Sequence, residues 1–250
     1  MSERLGHDEY LEHIGADSVI ACDVGRQRGD ANPQVPNCPA WSLADLLDHV
    51  AVVHNFWTAQ LAAAADRRTD PEELAEAAGE TPAAVAEVLE LASVRLLEQL
   101  RATPPERACW NWSGRDQTAA WVARRMALET AVHRADAEQA VGRVPTINSA
   151  LAADGLDERI AVHLACDVPE APEASLGGSL CLACSDVDRA FVLEVGGGRL
   201  EWREGRGPAD AVVVGRASDL FLFSWNRVGL DALSLTGRRQ VAEAWSTLPV

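Results

Sequence analysis

The sequence predicts an α + (α+β) chain, with a four-helix bundle over residues 1–145 and an α+β domain over residues 146–250. Three observations predict it. Four helical segments of about 20 to 27 residues precede position 145, short β-rich runs begin near position 179, and 250 residues suit one large domain or two smaller ones, of which two are favoured.

The first helix, about 6 to 28, carries Tyr10, Leu11, Ile14 and Val19 among charged residues and loses its periodicity near Arg28-Gly29-Asp30. After the proline-rich connector ANPQVPNCPAW, Ser42 and Asp45 form a capping-box pattern that opens a second helix. Its apolar stripe is Leu46, Val50, Val53, Trp57 and Leu61. A polar connection over 66–81 leads to Thr81-Pro82, a cap and first-turn pair for a third helix ending near Arg101. The fourth is expected from about Asp116 to Val141, stopped by Gly142 and Pro145.

Beyond the bundle, a helix near 148–165 and a loop over 168–178 precede SLCLACS, AFVLEV, GRLEWRE and DAVVVG, read as strands of a small antiparallel sheet. Gly196-Gly197-Gly198 marks a hairpin turn. Ser218 is expected to cap a helix running to Trp225, with LSLT as a last strand and a helix over 238–247 at the end.

Composition narrows the function. A net charge of −16 argues against nucleic acid and anionic membranes as partners. All 22 basic residues are arginine, which excludes a Schiff-base lysine and a phosphate-loop lysine. Six scattered cysteines suit reduced thiols, and no window reads as a signal peptide or membrane span, so a cytoplasmic protein is expected, as monomer or homodimer.

The chemistry concentrates in ALETAVHRAD, residues 127–136, where Glu129 and His133 stand four apart on one helical face. A carboxylate and an imidazole are two metal ligands, and a third is needed. His49, on the inward stripe of the second helix, is the best candidate, whereas His54 points roughly 140° away. His49 lies roughly 10 Å from the start of its helix and His133 roughly 12 Å from the end of its own. The levels match only if helices two and four are antiparallel, which requires an up-down-down-up bundle with a long crossover at 66–81. Asp136 reads equally as a carboxylate that orients His133 or as an exposed helix-end acid, and an ordinary surface pair is the competing reading of Glu129 and His133.

Three stretches, VPNCPAWSLADLLDHVAVVHNFW, LETAVHRADAEQAVGRVPTINSALAADGLDE and ASDLFLFSWNRVGLDALSLTG, resemble the mycothiol-dependent maleylpyruvate isomerase family of actinobacteria. The resemblance implies a DinB-like metal-binding bundle followed by a sterol-carrier-like α+β domain. It implies zinc at His49, Glu129 and His133, mycothiol as cosubstrate, and Arg227 of the C-terminal domain near the active site. Asn226 departs from the glycine that relatives commonly carry before that arginine.

The implied activity is addition of the thiol sulfur to the cis double bond of maleylpyruvate, bond rotation, and elimination to fumarylpyruvate. Arg227, or else Arg134 or Arg143, would bind the carboxylate of such a small anionic electrophile. A thiol S-transferase, a non-catalytic metal- or thiol-responsive protein and a zinc hydrolase are the alternatives. Cys181 and Cys184 lie on opposite faces of a strand with no second C-x-x-C, and are read as packing residues. The eight tryptophans are read as packing, with Trp41 at the entrance to helix two.

Overall fold

The computed structural model describes residues 5–63, 67–69 and 81–249. The chain divides into two compact units, one over Gly6–Pro145 and one from Thr146 onward that also takes in Leu5. Among the described residues no helix is long and apolar enough to cross a membrane.

The first unit is a bundle of α1 (His7–Arg28), α2 (Leu43–Ala63), α3 (Pro82–Ala102) and α4 (Ala119–Ala140). Each of the last three starts where local chemistry satisfies free N–H groups. At α2 the Ser42 N–H donates to Asp45 Oδ2 at 2.8 Å and the Asp45 N–H returns to Ser42 Oγ at 3.3 Å, completing the predicted capping box. Thr81 Oγ1 accepts from Ala84 at the head of α3, and Thr118 Oγ1 accepts from Trp121 at the head of α4. Beyond α4, Gly142 sits at a φ of 75°, the left-handed conformation that ends a helix.

Cross-helix pairs fix the direction of every helix. Gly25 faces Pro82 while Gly15 faces Leu97, so α1 and α3 are antiparallel. Asp17 meets Arg134 while Arg28 meets Val141, so α1 and α4 run the same way. His49 lies against His133 and Trp57 against Trp121, so α2 opposes α4. The result is up-down-down-up, with α2 and α3 parallel. The crossover predicted at 66–81 lies largely outside the described residues.

The bundle core joins Val24, Leu43, Leu46, Leu47, Val50, Val85 and Leu89. The helices pack closely at Gly25, where an added Cβ would come within 2.8 Å of both Leu47 Cδ1 and the Pro82 carbonyl oxygen. A side chain there would force three helices apart.

The second unit begins with α5 (Ser149–Glu158), capped by Asn148, and continues through a π-helical stretch, Arg159–Leu164, into α6 (Ala165–Asp167). Strands β1 (Ser179–Cys184), β2 (Ala190–Gly196), β3 (Arg199–Glu204), β4 (Ala211–Gly215) and β5 (Ser234–Gly237) form one sheet in the order β3-β2-β1-β4-β5. Gly197 and Gly198, at φ of 57° and 70°, make the predicted β2–β3 hairpin turn.

The sheet corrects the antiparallel expectation: β1 and β4 are parallel, with Leu180 opposite Ala211 and Cys184 opposite Gly215. The β2–β3 hairpin folds outward from one edge of β1, and the chain then returns to lay β4 along the other edge. Cys181 and Cys184 are both buried in β1, and burial raises the Cys184 thiol pKa to about 11, as expected of packing residues.

The expected Ser218 cap is also corrected. Helix α7 (Ala217–Ser224) has Arg216 in the capping position, and Ser218 lies inside the helix, where its Oγ accepts the Ile147 N–H at 2.9 Å. The hydroxyl joins α7 to the segment that leads into α5 instead of closing its own helix. The chain ends with α8 (Arg239–Glu243) and a 3₁₀ turn, Ala244–Thr247.

Candidate metal centre

In the bundle, His49 is on the second turn of α2, and Glu129 and His133 are on one face of α4. Glu129 Oε1 is 3.3 Å from His49 Nε2 and 3.2 Å from His133 Nε2. One ligand atom from each of the three residues lies within 4.8 Å of the others, the one such group of His, Cys, Asp or Glu among the described residues.

This spacing fits a metal ion. Ligands about 2.0–2.2 Å from a tetrahedral zinc are themselves roughly 3.3–3.6 Å apart, which the two Oε1 distances approach. The donor set, two imidazoles and a carboxylate, suits zinc and leaves a position for another ligand.

Each donor is held by a neighbour. Asp136, fully buried one turn on, has Oδ2 3.1 Å from His133 Nδ1, so a proton on that nitrogen leaves Nε2 as the free lone pair. Arg125, one turn before Glu129 and only 4% exposed, donates from Nη2 to Glu129 Oε2 at 2.9 Å. The Trp41 ring lies 4.7 Å from the His49 ring and 6.2 Å from that of His133, covering one flank of the cluster. Cys38 Sγ stands 4.0 Å from Asp136 Oδ2.

The electrostatics favour a cation. Burial raises the carboxyl pKa of Glu129, but His133, His49 and Arg125 act against it and hold it well below the usual range. Burial also opposes charge on His133, yet Glu129 and then Asp136 outweigh it and bring its pKa up to about 9. The cluster attracts positive charge, and a divalent cation bound there would take the proton's place.

His54, set aside from sequence because of its angle, is fully buried between Ser93 Oγ at 3.1 Å and Thr130 Oγ1 at 2.9 Å. Burial lowers its pKa to about 4, with Glu129 offsetting this only in part. It is a neutral, satisfied core residue.

Residues 25–138 match the family model described as mycothiol maleylpyruvate isomerase N-terminal domain. The matched stretch lies within the helical unit, from the end of α1 to the last turns of α4. Two solved structures share the fold of the whole chain: the mycothiol-dependent maleylpyruvate isomerase, with a TM-score of 0.62, and a histidine-to-alanine mutant of it, with 0.60. Each is 16% identical to this chain, and 93% of both chains is covered. No curated protein matches the chain.

Within the helical unit, two of the arginines weighed for a substrate carboxylate are engaged elsewhere. Arg134 is buried against Asp17 at 3.0 Å and Glu138 at 2.5 Å, and Arg143 donates to Gln27 at 2.6 Å. Arg227 lies in the other unit, just after α7, where its Nη1 donates to the Trp225 carbonyl at 2.6 Å. Sequence reasoning missed Arg125. Its signal was present in the four-residue spacing to Glu129, but on a helix that spacing reads first as an exposed ion pair.

Proposed function

We propose that the chain is a zinc-dependent cytoplasmic enzyme that uses mycothiol, or a related low-molecular-weight thiol, in a maleylpyruvate isomerase-like cis–trans isomerisation. The observation that carries this reading is the approach of His49 Nε2 and His133 Nε2 to Glu129 Oε1 at 3.3 and 3.2 Å, in a unit that matches a family model named for that activity. Zinc bound there would supply the Lewis acidity that keeps a thiol sulfur in its nucleophilic, deprotonated form near neutral pH.

The chain's own residues have defined tasks. Asp136 keeps the His133 proton on Nδ1 and turns Nε2 toward the cluster. Trp41 shields one flank of both imidazoles from water, while the partial exposure of His49 leaves an approach for the thiol. Arg227 is assigned the substrate carboxylate, which a guanidinium binds through two parallel hydrogen bonds.

Zinc content and mycothiol-dependent conversion of maleylpyruvate, measured for the unmodified chain and for His49→Ala, His133→Ala and Arg227→Ala, test the reading. Both histidine variants should lose zinc and activity, while Arg227→Ala should keep zinc and show a raised KM. Full zinc in both histidine variants would remove the site. Zinc and thiol binding without isomerisation would instead indicate an S-transferase with another electrophile.

A further inference from the structure

We infer that Arg125 is a positioning residue that divides the two oxygens of Glu129, reserving Oε1 for the cation site. The inference rests on reading His49, Glu129 and His133 as metal ligands. Arg125 and Glu129 are four residues apart on α4, so their side chains share a face. Oε2 accepts from Arg125 Nη2 at 2.9 Å, whereas Oε1 is the oxygen that stands 3.3 Å from His49 Nε2 and 3.2 Å from His133 Nε2. The two oxygens face different partners.

An i, i+4 pair on a helix surface exchanges freely with water and fixes little. This one is different because the arginine side chain is 4% exposed and the glutamate 22% exposed. A buried, charge-assisted hydrogen bond is short, directional and costly to break. A carboxylate with both oxygens available can swing between one and two bonds to a metal, taking zinc from four- to five-coordinate. With Oε2 held by Arg125 that swing requires breaking the buried bond. Glu129 therefore offers one oxygen, and the remaining coordination space is left for an incoming sulfur.

Cobalt(II) substitution of the full chain reads this directly, because the intensity of its visible bands falls as coordination number rises from four. The unmodified chain should give the strong bands of four-coordinate cobalt. Arg125→Met should weaken them as Glu129 takes on a second bond, and Arg125→Lys, which keeps a charged donor, should recover part of the intensity. Metal affinity, from competition with a chelating dye, should change by about 10- to 100-fold in Arg125→Met, the range for residues that orient ligands. A purely structural role would lower thermal stability and leave the cobalt bands unchanged.

Unaltered bands in folded Arg125→Met overturn the inference. Should that variant not fold, a crystal structure of the zinc-loaded, unmodified chain decides: Oε2 on Arg125 supports it, and both Glu129 oxygens within bonding distance of zinc overturn it. Failure of the unmodified chain to take up cobalt or zinc would instead overturn the metal reading itself, and this inference with it.

Discussion

His49 and His54 stand five residues apart on α2, and each meets α4, His49 at Glu129 and His54 at Thr130. The two layers use the same helices and differ in partner chemistry. Around His54 the partners are hydroxyls, which both donate and accept, so a neutral ring is satisfied at both nitrogens. Around His49 and His133 the partners are carboxylates, which only accept. Two imidazoles then converge on one oxygen and leave a place for something positive. The lesson is that burial alone does not mark a functional histidine, since the more deeply buried ring is the structural one.

If the layers are independent, substitutions should separate metal content from stability. The largest effect is expected at the carboxylate layer, where Glu129→Gln or His133→Ala should reduce metal content to background by elemental analysis while circular dichroism shows the bundle intact. Metal retained in Glu129→Gln would break the distinction between the layers.

The hydroxyl layer should show itself in pH dependence. The pKa of His54 is about 4 folded and 6.5 as the ordinary value, so below pH 6.5 the unfolded chain binds the proton that the folded chain refuses. Its contribution is therefore full above pH 6.5 and is lost as pH falls toward 4, by up to about 3 kcal/mol. Urea unfolding across that range should show the slope, and His54→Gln should flatten it. An equal slope in that variant would place the titration elsewhere.

Asp136→Asn should weaken metal binding by about 10- to 100-fold, because an amide can hold the wrong proton arrangement at His133 Nδ1. Chelator competition measures it. The smallest effect is expected for Ser93→Ala, a loss of about 1 kcal/mol in denaturant unfolding with metal content unchanged. A drop in metal content there would show that the layers are coupled through α3.

Much of the bundle was legible in the sequence because its signals are local. The Ser42–Asp45 box, the Thr81-Pro82 start and the Gly142 stop each act within four residues, and each is where the pattern places it. The helix directions were legible too, since only antiparallel α2 and α4 bring His49 to the level of His133. What escaped was non-local or charged. The parallel β1–β4 pair depends on a strand returning past an intervening hairpin, which strand propensity does not encode. Arg125 and Arg134 are buried on α4, where charge patterning would assign a solvated face. Ser218 looked like a cap because serine favours that position, yet its hydroxyl serves Ile147 N–H instead.

The opposed α2 and α4 have a further consequence for how the protein comes into being. His49 and Glu129 are 80 residues apart in sequence, so the three-residue cluster cannot exist on the nascent chain until α4 has been synthesised and docked. A cation held there binds the closed bundle and not the open one, and at 1,000 times its dissociation constant would add about 4 kcal/mol to stability. It would act as a latch between an early and a late helix, slowing their separation and making resistance to proteolysis depend on metal supply.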